Sequence, residues 1–365
     1  RRMMCTFRNI TLQAGPGALT LLREEGLKPE RINILAGAAG GPKWLVLSGL
    51  DRFLLSGFFR DRSHPLYLIG SSIGAWRFAS YAKENPLQAL EAFETAYISQ
   101  RYSLKPSQEE IDGESQKIMD ACLSPESARD ILSHPFMRLN LMVNRSRRPV
   151  ASESRPLLAA GIAGAALMNL FSRRAMGLFL QRVLFYDPRD LPPFFPMEGF
   201  GIRRVPLAEN NLKAAVLASG SIPLVMSGVR DIPGAGPGVY RDGGLIDYHL
   251  DIPYGAAPNE IILFPHYTDR MVPGWFDKPW KGRKPAAARA SQVLLVSPSR
   301  EFVAKLPLGK IPDRDDFYLF KGRDDERLDY WHGVLRLNRI LAEEFGEAVE
   351  SGRIKDIVLP LDTAS

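Results

Sequence analysis

Cysteine is nearly missing from this sequence: its 365 residues include only Cys5 and Cys122. Two isolated thiols offer neither metal-ligand spacing nor a disulfide framework, which points to a reducing compartment. Long apolar runs are missing too. Residues 157–171 are strongly apolar, but a spanning helix needs about 20 such residues. The opening stretch Arg1-Arg2-Met3-Met4-Cys5-Thr6-Phe7-Arg8 lacks the apolar core of a signal peptide. A cytoplasmic location is the expectation. Internal repeats and low-complexity linkers are absent. The Walker pattern G-x-x-x-x-G-K-[ST] and the dinucleotide pattern G-x-G-x-x-G are absent as well, which argues against nucleotide-binding enzymes of those two kinds.

What is present is the composition of a soluble globular chain, 45% apolar and 24% charged. The net charge of +6 and a sequence pI of about 9.3 favour anionic partners, membrane surfaces and nucleic acid alike, although the excess is modest and dispersed.

The apolar run Leu66-Tyr67-Leu68-Ile69 stops at Gly70-Ser71-Ser72-Ile73-Gly74-Ala75 and leads into a helical segment. Gly70 and Gly74 carry no Cβ, so strand and helix can approach closely and hold Ser72 at the tip of a tight turn. The N-terminus of the helix then faces that hydroxyl, the arrangement a serine nucleophile requires. Upstream, Arg31–Ala36 reads as a strand running into Gly37-Ala38-Ala39-Gly40-Gly41-Pro42-Lys43-Trp44 and a helix over 42–57. This glycine loop has two readings, a plain tight turn or an oxyanion hole in which the Gly40 and Gly41 N–H groups receive a carbonyl oxygen. The β-α-β-α run predicts an α/β fold, a mainly parallel central sheet with helices on both faces.

Further along, 84–134 reads as polar and helical, and Phe136–Val143 as a strand. Residues 157–171 read as an apolar helix. Met176, Phe179, Leu180, Val183 and Leu184 follow on one helical face, a pattern of core helices and of helices lying on membranes. The segment 157–185 is the candidate lid or wall of an acyl-chain pocket. Strands are expected at 201–207, 239–242, 261–264 and 293–296, and one long closing helix over 324–349. The stretch Trp275–Pro285 is basic and aromatic, a composition shared by membrane-interface segments, single-strand nucleic-acid sites and solvated loops.

A serine nucleophile needs a base. The five histidines, His64, His134, His249, His266 and His332, include no clear partner, and His266 is the best candidate for a Ser-His-Asp triad. The alternative is an aspartate acting directly, and Asp242-Gly243-Gly244 ends a strand with a carboxylate at a sharp turn.

In order along the chain, Gly40-Gly41-Pro42-Lys43, Gly70-Ser71-Ser72-Ile73-Gly74-Ala75, Ala218-Ser219-Gly220-Ser221-Ile222-Pro223 and Asp242-Gly243-Gly244 resemble the signature segments of the patatin-like phospholipases. The resemblance covers roughly residues 31–260. It implies a patatin-like three-layer α/β/α fold and a lipid acyl hydrolase cleaving phospholipids or related acyl esters, with Ser72 and Asp242 catalytic and Gly40 and Gly41 forming the oxyanion hole. It makes Lys43 a candidate substrate-binding residue, and the bulk of Trp44, where the sequence departs from the family, makes that residue a second candidate beside the acyl site. It implies no metal and no organic cofactor, and no nucleic-acid partner is expected. Peripheral contact with an anionic membrane is the expected partnership. On this reading the chain is one domain over 1–365. Its core is 31–260, with a helical insertion at about 84–200 and a C-terminal extension, 261–365, packing on that core. The sequence departs from the family pattern at Ala38 and Ala39, at Trp44 in place of the last loop glycine, and at Asp251-Ile252-Pro253, where asparagine is usual. A catalytically weak lipid-binding protein on the same fold is the alternative that these departures motivate.

Overall fold

The apolar runs become the buried middle of a sheet. In a computed structural model, residues 7–364 are described; Cys5 lies outside them, and Cys122 is a buried free thiol. The strands are β1 (Ile10–Ala14), β2 (Ile32–Gly37), β3 (Leu66–Ser71), β4 (Met137–Ser146), β5 (Leu180–Tyr186), β6 (Arg203–Pro206), β7 (Val229–Arg230), β8 (Val239–Asp242), β9 (Ile261–Pro265), β10 (Val293–Pro298) and β11 (Leu359–Pro360). Among the described residues they form one sheet in the order β11-β1-β10-β9-β2-β3-β4-β5-β6, with β8 also paired to β4 and β7 to β8. The middle, β10-β9-β2-β3-β4, is parallel throughout, and antiparallel pairs flank it. This is an α/β architecture, a mixed and mostly parallel central sheet with helices around it. The middle strands are apolar on both faces, as a parallel sheet covered by helices requires.

The helices that matter for the site are α1 (Pro16–Glu25), α2 (Ser48–Phe53), α3 (Ile73–Tyr81), α4 (Pro86–Ile98), α5 (Gln108–Cys122), α6 (Ser127–Ser133), α7 (Arg155–Phe171) and α8 (Leu212–Ser219). Helix α3 is buried along its whole length, including Arg77. Arg77 is paired with the buried Asp51 of α2 at 2.8 Å, and the Tyr81 hydroxyl donates to the same carboxylate at 2.7 Å. These contacts fix α3 against α2 and so set where the turn before α3 stands.

Four expectations change. The segment 84–200 is more than a helical insertion, because it supplies β4 and β5. Residues 261–365 do not merely pack on the core: β9 lies between β2 and β10 inside the sheet. The helical face expected through Val183 and Leu184 is strand β5, preceded by a 3-10 turn at Arg173–Leu178. Its Leu180, Val183, Leu184 and Phe185 are all buried and pair antiparallel with β4. The closing helix is two helices, Asp324–Leu337 and Arg339–Glu350, that meet at Asn338. The Asn338 side chain donates to Leu45 O at 2.8 Å instead of facing solvent.

Candidate active site

Strand β4 builds the site. Its first half pairs with β3 in parallel, and the last pair is Ser71 with Met142. Its second half pairs with β8 antiparallel, and the last pair there is Asp242 with Val143. Strands β3 and β8 therefore run toward each other along the same side of β4 and stop one residue apart. Ser72 follows the end of one and Asp242 is the end of the other. The Ser72 Oγ donates to Asp242 Oδ2 at 2.7 Å. Both residues are buried.

Ser72 has φ 54° and ψ −124°, a conformation that L side chains rarely adopt and that marks a site where surrounding structure holds strain. Close packing enforces it. A Cβ on Gly70 would lie 2.5 Å from Ala75 N, and one on Gly74 would lie 2.1 Å from Gly37 O. The Ser72 N–H donates to Ser219 Oγ at 2.9 Å, and that hydroxyl donates to Met142 O at 2.7 Å. Ser219 thus ties the turn to β4. The Asp242 N–H donates to Ser221 O at 2.9 Å. Gly220 lies between them against Trp76, where a Cβ would come within 2.8 Å of the indole. The small-residue segment 218–223 is the clamp that holds serine and aspartate together.

The carboxylate is oriented on all sides. Its Oδ1 accepts the Gly244 N–H at 2.7 Å, and its backbone carbonyl accepts from Asn144 Nδ2 at 2.7 Å. Burial pushes the Asp242 carboxyl above the usual carboxylate range, while the Arg314 charge, the Ser72 hydroxyl and the Gly244 N–H pull it back. A raised pKa makes a stronger base.

The glycine loop faces this pair. Gly40 (φ 151°) and Gly41 (φ 58°) both have positive φ, and a Cβ on Gly40 would strike the Tyr267 ring at 2.7 Å. Among the described residues, neither glycine N–H donates a hydrogen bond within the protein. The Ala39 N–H is used by Tyr248 O at 2.9 Å, and the Ala39 carbonyl accepts from the Tyr267 hydroxyl at 2.6 Å.

Ser72 stands between two concavities. One, of about 190 Å³, contains Asp242, Gly40, Lys43, Lys278 and Arg314. The other, of about 260 Å³, is an apolar groove past Ile73, Trp76, Ile118, Met226 and Phe317. Lys43 lines the first of these spaces together with Ser72. Trp44 does not: it lines neither space and is buried, stacked on Phe93 with ring centroids 4.7 Å apart and edge-on to Tyr97 at 5.7 Å. Its large apolar ring is absorbed by α4. Asp251 is held by the Ala286 N–H and by Arg289, at 3.2 and 3.3 Å.

No histidine is hydrogen-bonded to Ser72 among the described residues. His64 and His332 are exposed. His134 Nδ1 accepts from the Phe136 and Met137 N–H groups. His266 is buried, its Nδ1 accepts the Thr268 N–H, and burial lowers its pKa to about 3. His249 is buried with its Nδ1 accepting the Val272 N–H at 2.8 Å, which leaves the proton on Nε2 to donate to the Tyr267 hydroxyl at 2.7 Å. Sequence reasoning did not single out Tyr267 or Arg314, and it met Lys278 only as part of the basic, aromatic stretch Trp275–Pro285. None lies in a motif, and each is brought in by chain beyond residue 260.

No protein-family model and no curated protein matches this sequence. Among solved structures, VipD from Legionella pneumophila aligns with 11% identity and a TM-score of 0.30, over 73% of this chain and 54% of VipD, so the chain spans about half the length of that protein.

Proposed function

We propose that this protein is a serine acyl hydrolase of the patatin-like kind, acting on carboxylic esters of phospholipids or related acyl lipids at an anionic lipid surface. The observation that carries the reading is the 2.7 Å hydrogen bond from Ser72 Oγ to a buried, oriented Asp242 carboxylate. Asp242 accepts the proton of Ser72 as Oγ attacks the ester carbonyl carbon. Charge on the carbonyl oxygen is met by the unengaged N–H groups of Gly40 and Gly41. Donors of this kind contribute about 3–4 kcal/mol to transition-state stabilisation. The carbon–oxygen bond to the alcohol breaks as Asp242 passes its proton to the leaving oxygen. Water then loses a proton to Asp242 and attacks the acyl carbon. The fatty acid leaves and Ser72 regains its proton. The apolar groove suits the acyl chain. The absence of a histidine contact disfavours an ordinary triad.

The test is covalent labelling with a fluorophosphonate, combined with ester hydrolysis across pH. Wild type is labelled and Ser72→Ala is not. Asp242→Asn loses hydrolysis by at least about a thousandfold, whereas His266→Ala retains it. Asp242 must be ionised to act, so kcat/KM falls as pH drops through its raised pKa, with a midpoint above the ordinary carboxylate range. Equal labelling of wild type and Ser72→Ala overturns the assignment of the nucleophile. Loss of activity in His266→Ala with Asp242→Asn active restores the triad.

A further inference from the structure

Three cations converge on the polar side of Ser72. Lys43 follows the glycine loop, Lys278 comes from the segment after β9, and Arg314 from the segment before helix Asp324–Leu337. All three line the cavity that contains Ser72 and Asp242. None has a hydrogen bond or an ion pair through its side chain among the described residues. Lys43 Nζ lies 5.0 Å above the Tyr267 ring and Lys278 Nζ 5.3 Å above the Tyr248 ring, so two aromatic faces orient the ammonium groups without neutralising them. The cations also feel one another. Burial, Lys278 and Arg314 bring Lys43 down to about 8, against the opposing pull of Asp313 and Asp315.

Three carboxylates line the cavity and none is ion-paired with these cations: Asp242 is engaged by the Ser72 hydroxyl and the Gly244 N–H, although the Arg314 charge acts on it. Asp313 Oδ1 is taken by Lys310 at 2.8 Å and by the Asp315 N–H at 3.0 Å. Asp315 is exposed. Lys278 is exposed and Lys43 and Arg314 are half-buried, whereas the fully buried cations Arg77, Arg182 and Arg241 have carboxylate partners in Asp51, Asp247 and Glu153. Cations gathered in a concavity without a partner are arranged for one that arrives from outside.

Arg314 also borders the apolar groove, so it stands at the partition between the two spaces on either side of the serine. An ester bound across Ser72 would lay its acyl chain along the groove and its alcohol arm among the cations. We propose that Lys43, Lys278 and Arg314 form a subsite for an oxyanion, phosphate or carboxylate, carried on the alcohol arm of the ester close to the scissile bond. This rests on the acyl-hydrolase reading and narrows its substrates to acyl esters with an anionic arm. Lys278 and Arg314 lie outside residues 31–260.

Three dodecanoyl esters test it, with glycerol, glycerol 3-phosphate or lactate as the alcohol arm. They share one acyl chain and differ in carrying no charge, a phosphate or a carboxylate. In wild type, kcat/KM for at least one anionic ester exceeds that for the neutral ester by about ten- to a hundredfold, the range expected of charge-assisted hydrogen bonds, and the better of the two identifies the anion. Lys278→Gln and Arg314→Gln each reduce that ratio about tenfold. The ratio is read within a single variant, so partial loss of folded protein lowers both rates and leaves it unchanged. Equal kcat/KM for neutral and anionic esters, or a preference that both variants retain, overturns the subsite while leaving the acyl-hydrolase reading intact. A second measurement does not depend on turnover: binding of dodecyl phosphate and of dodecanol to Ser72→Ala, followed by calorimetry. Tighter binding of the phosphate, lost in Ser72→Ala/Lys278→Gln, supports the subsite even if no ester is hydrolysed. Equal binding of the two ligands overturns it.

Discussion

At the scale of single residues, the proposed reactive pair depends on a third side chain that touches neither member of it. A trans peptide points its C=O and the following N–H in opposite directions. The Tyr267 hydroxyl holds the Ala39 carbonyl at 2.6 Å, so it turns the Gly40 N–H toward the other side of the peptide plane. That hydroxyl is itself held by Nε2–H of a neutral His249. Burial, with His266 and Lys43 nearby, keeps the His249 pKa well below the ordinary histidine range, so the relay Val272 N–H, His249, Tyr267, Ala39 stays in one tautomer through neutral pH. Tyr267 acts as a positioning residue for the proposed oxyanion hole. Tyr267→Phe keeps the ring under Gly40 and removes only the donor. The expected result is a fall in kcat of about ten- to a hundredfold with KM changed less than threefold, because an oxyanion donor acts mainly in the transition state. A kcat within twofold of wild type, or a loss expressed only in KM, contradicts that role. Ser72 and Asp242 were legible in the sequence because each sits in a short local pattern with its own turn chemistry. Tyr267 was not, because its role depends on β9 delivering it to a loop more than two hundred residues earlier in the chain.

At the scale of elements, α7 and the loop after β9 form one unit. The buried Asp277 carboxylate accepts from Asn169 of α7 at 2.7 Å, from Arg283 at 2.6 Å, from the Gly274 N–H at 2.9 Å and from Arg173. Arg283 also caps the end of α7 by donating to Asn169 O and Leu170 O. The loop that the sequence left open between membrane, nucleic acid and solvent is therefore an ordered ridge. Its outer side is apolar: Phe171 is 79% exposed, Leu167 52% and Trp280 48%, with exposed Lys281 alongside and Lys284 paired to Asp362. Ile162 of α7 and Trp275 of the loop reach the cavity beside Ser72, so the ridge borders the entrance. Among the described residues no helix is long and apolar enough to cross a membrane. An apolar ridge with basic flanks fits the proposed anionic lipid surface. Phe171→Asp and Trp280→Ala should each weaken co-sedimentation with vesicles of phosphatidylglycerol and phosphatidylcholine about tenfold, the consequence of withdrawing one large apolar side chain from the lipid. Hydrolysis of a soluble short-chain ester should persist, since neither residue lines the cavity. Unchanged vesicle binding in both variants would remove the ridge as the docking element. The helix α7 was readable from its composition. Strand β5 was not, because Leu180, Val183 and Leu184 repeat at a helical spacing by coincidence, and only pairing with β4 decides between the two periods.

At the scale of the molecule, the region in which the motifs could be recognised is smaller than the region that folds. Residues 31–260 contain Ser72, Asp242 and both loop glycines, yet β9 (261–265) is hydrogen-bonded on one side to β2 and on the other to β10, and β10 to β1 near the start of the chain. The first and last described strands, β1 and β11, thus both join the sheet. Helix Arg339–Glu350 secures the start of β1 through Glu344, which accepts the N–H groups of Asn9 and Ile10 at 2.8 and 3.1 Å. A sequence read for motifs underestimates this, because strands such as Ile261–Pro265 are buried apolar runs with no signature beyond hydrophobicity. Cutting at residue 260 would expose the β2 edge, with Ile32, Ile34 and Leu35 unpaired, and an open apolar edge of that kind favours aggregation. It would also remove Tyr267, Lys278 and Arg314 from the site. The expected outcome is that residues 7–364 unfold in one cooperative transition and label with fluorophosphonate. Residues 31–260 produced alone should be insoluble, or lack a cooperative thermal transition by circular dichroism, and should not label. Adding back 261–298 without β1 should not restore them, because β10 would then lack its antiparallel partner along Leu294–Pro298. A soluble 31–260 fragment with a sharp transition and a labelled Ser72 would mean that the outer strands attach to a core already complete without them.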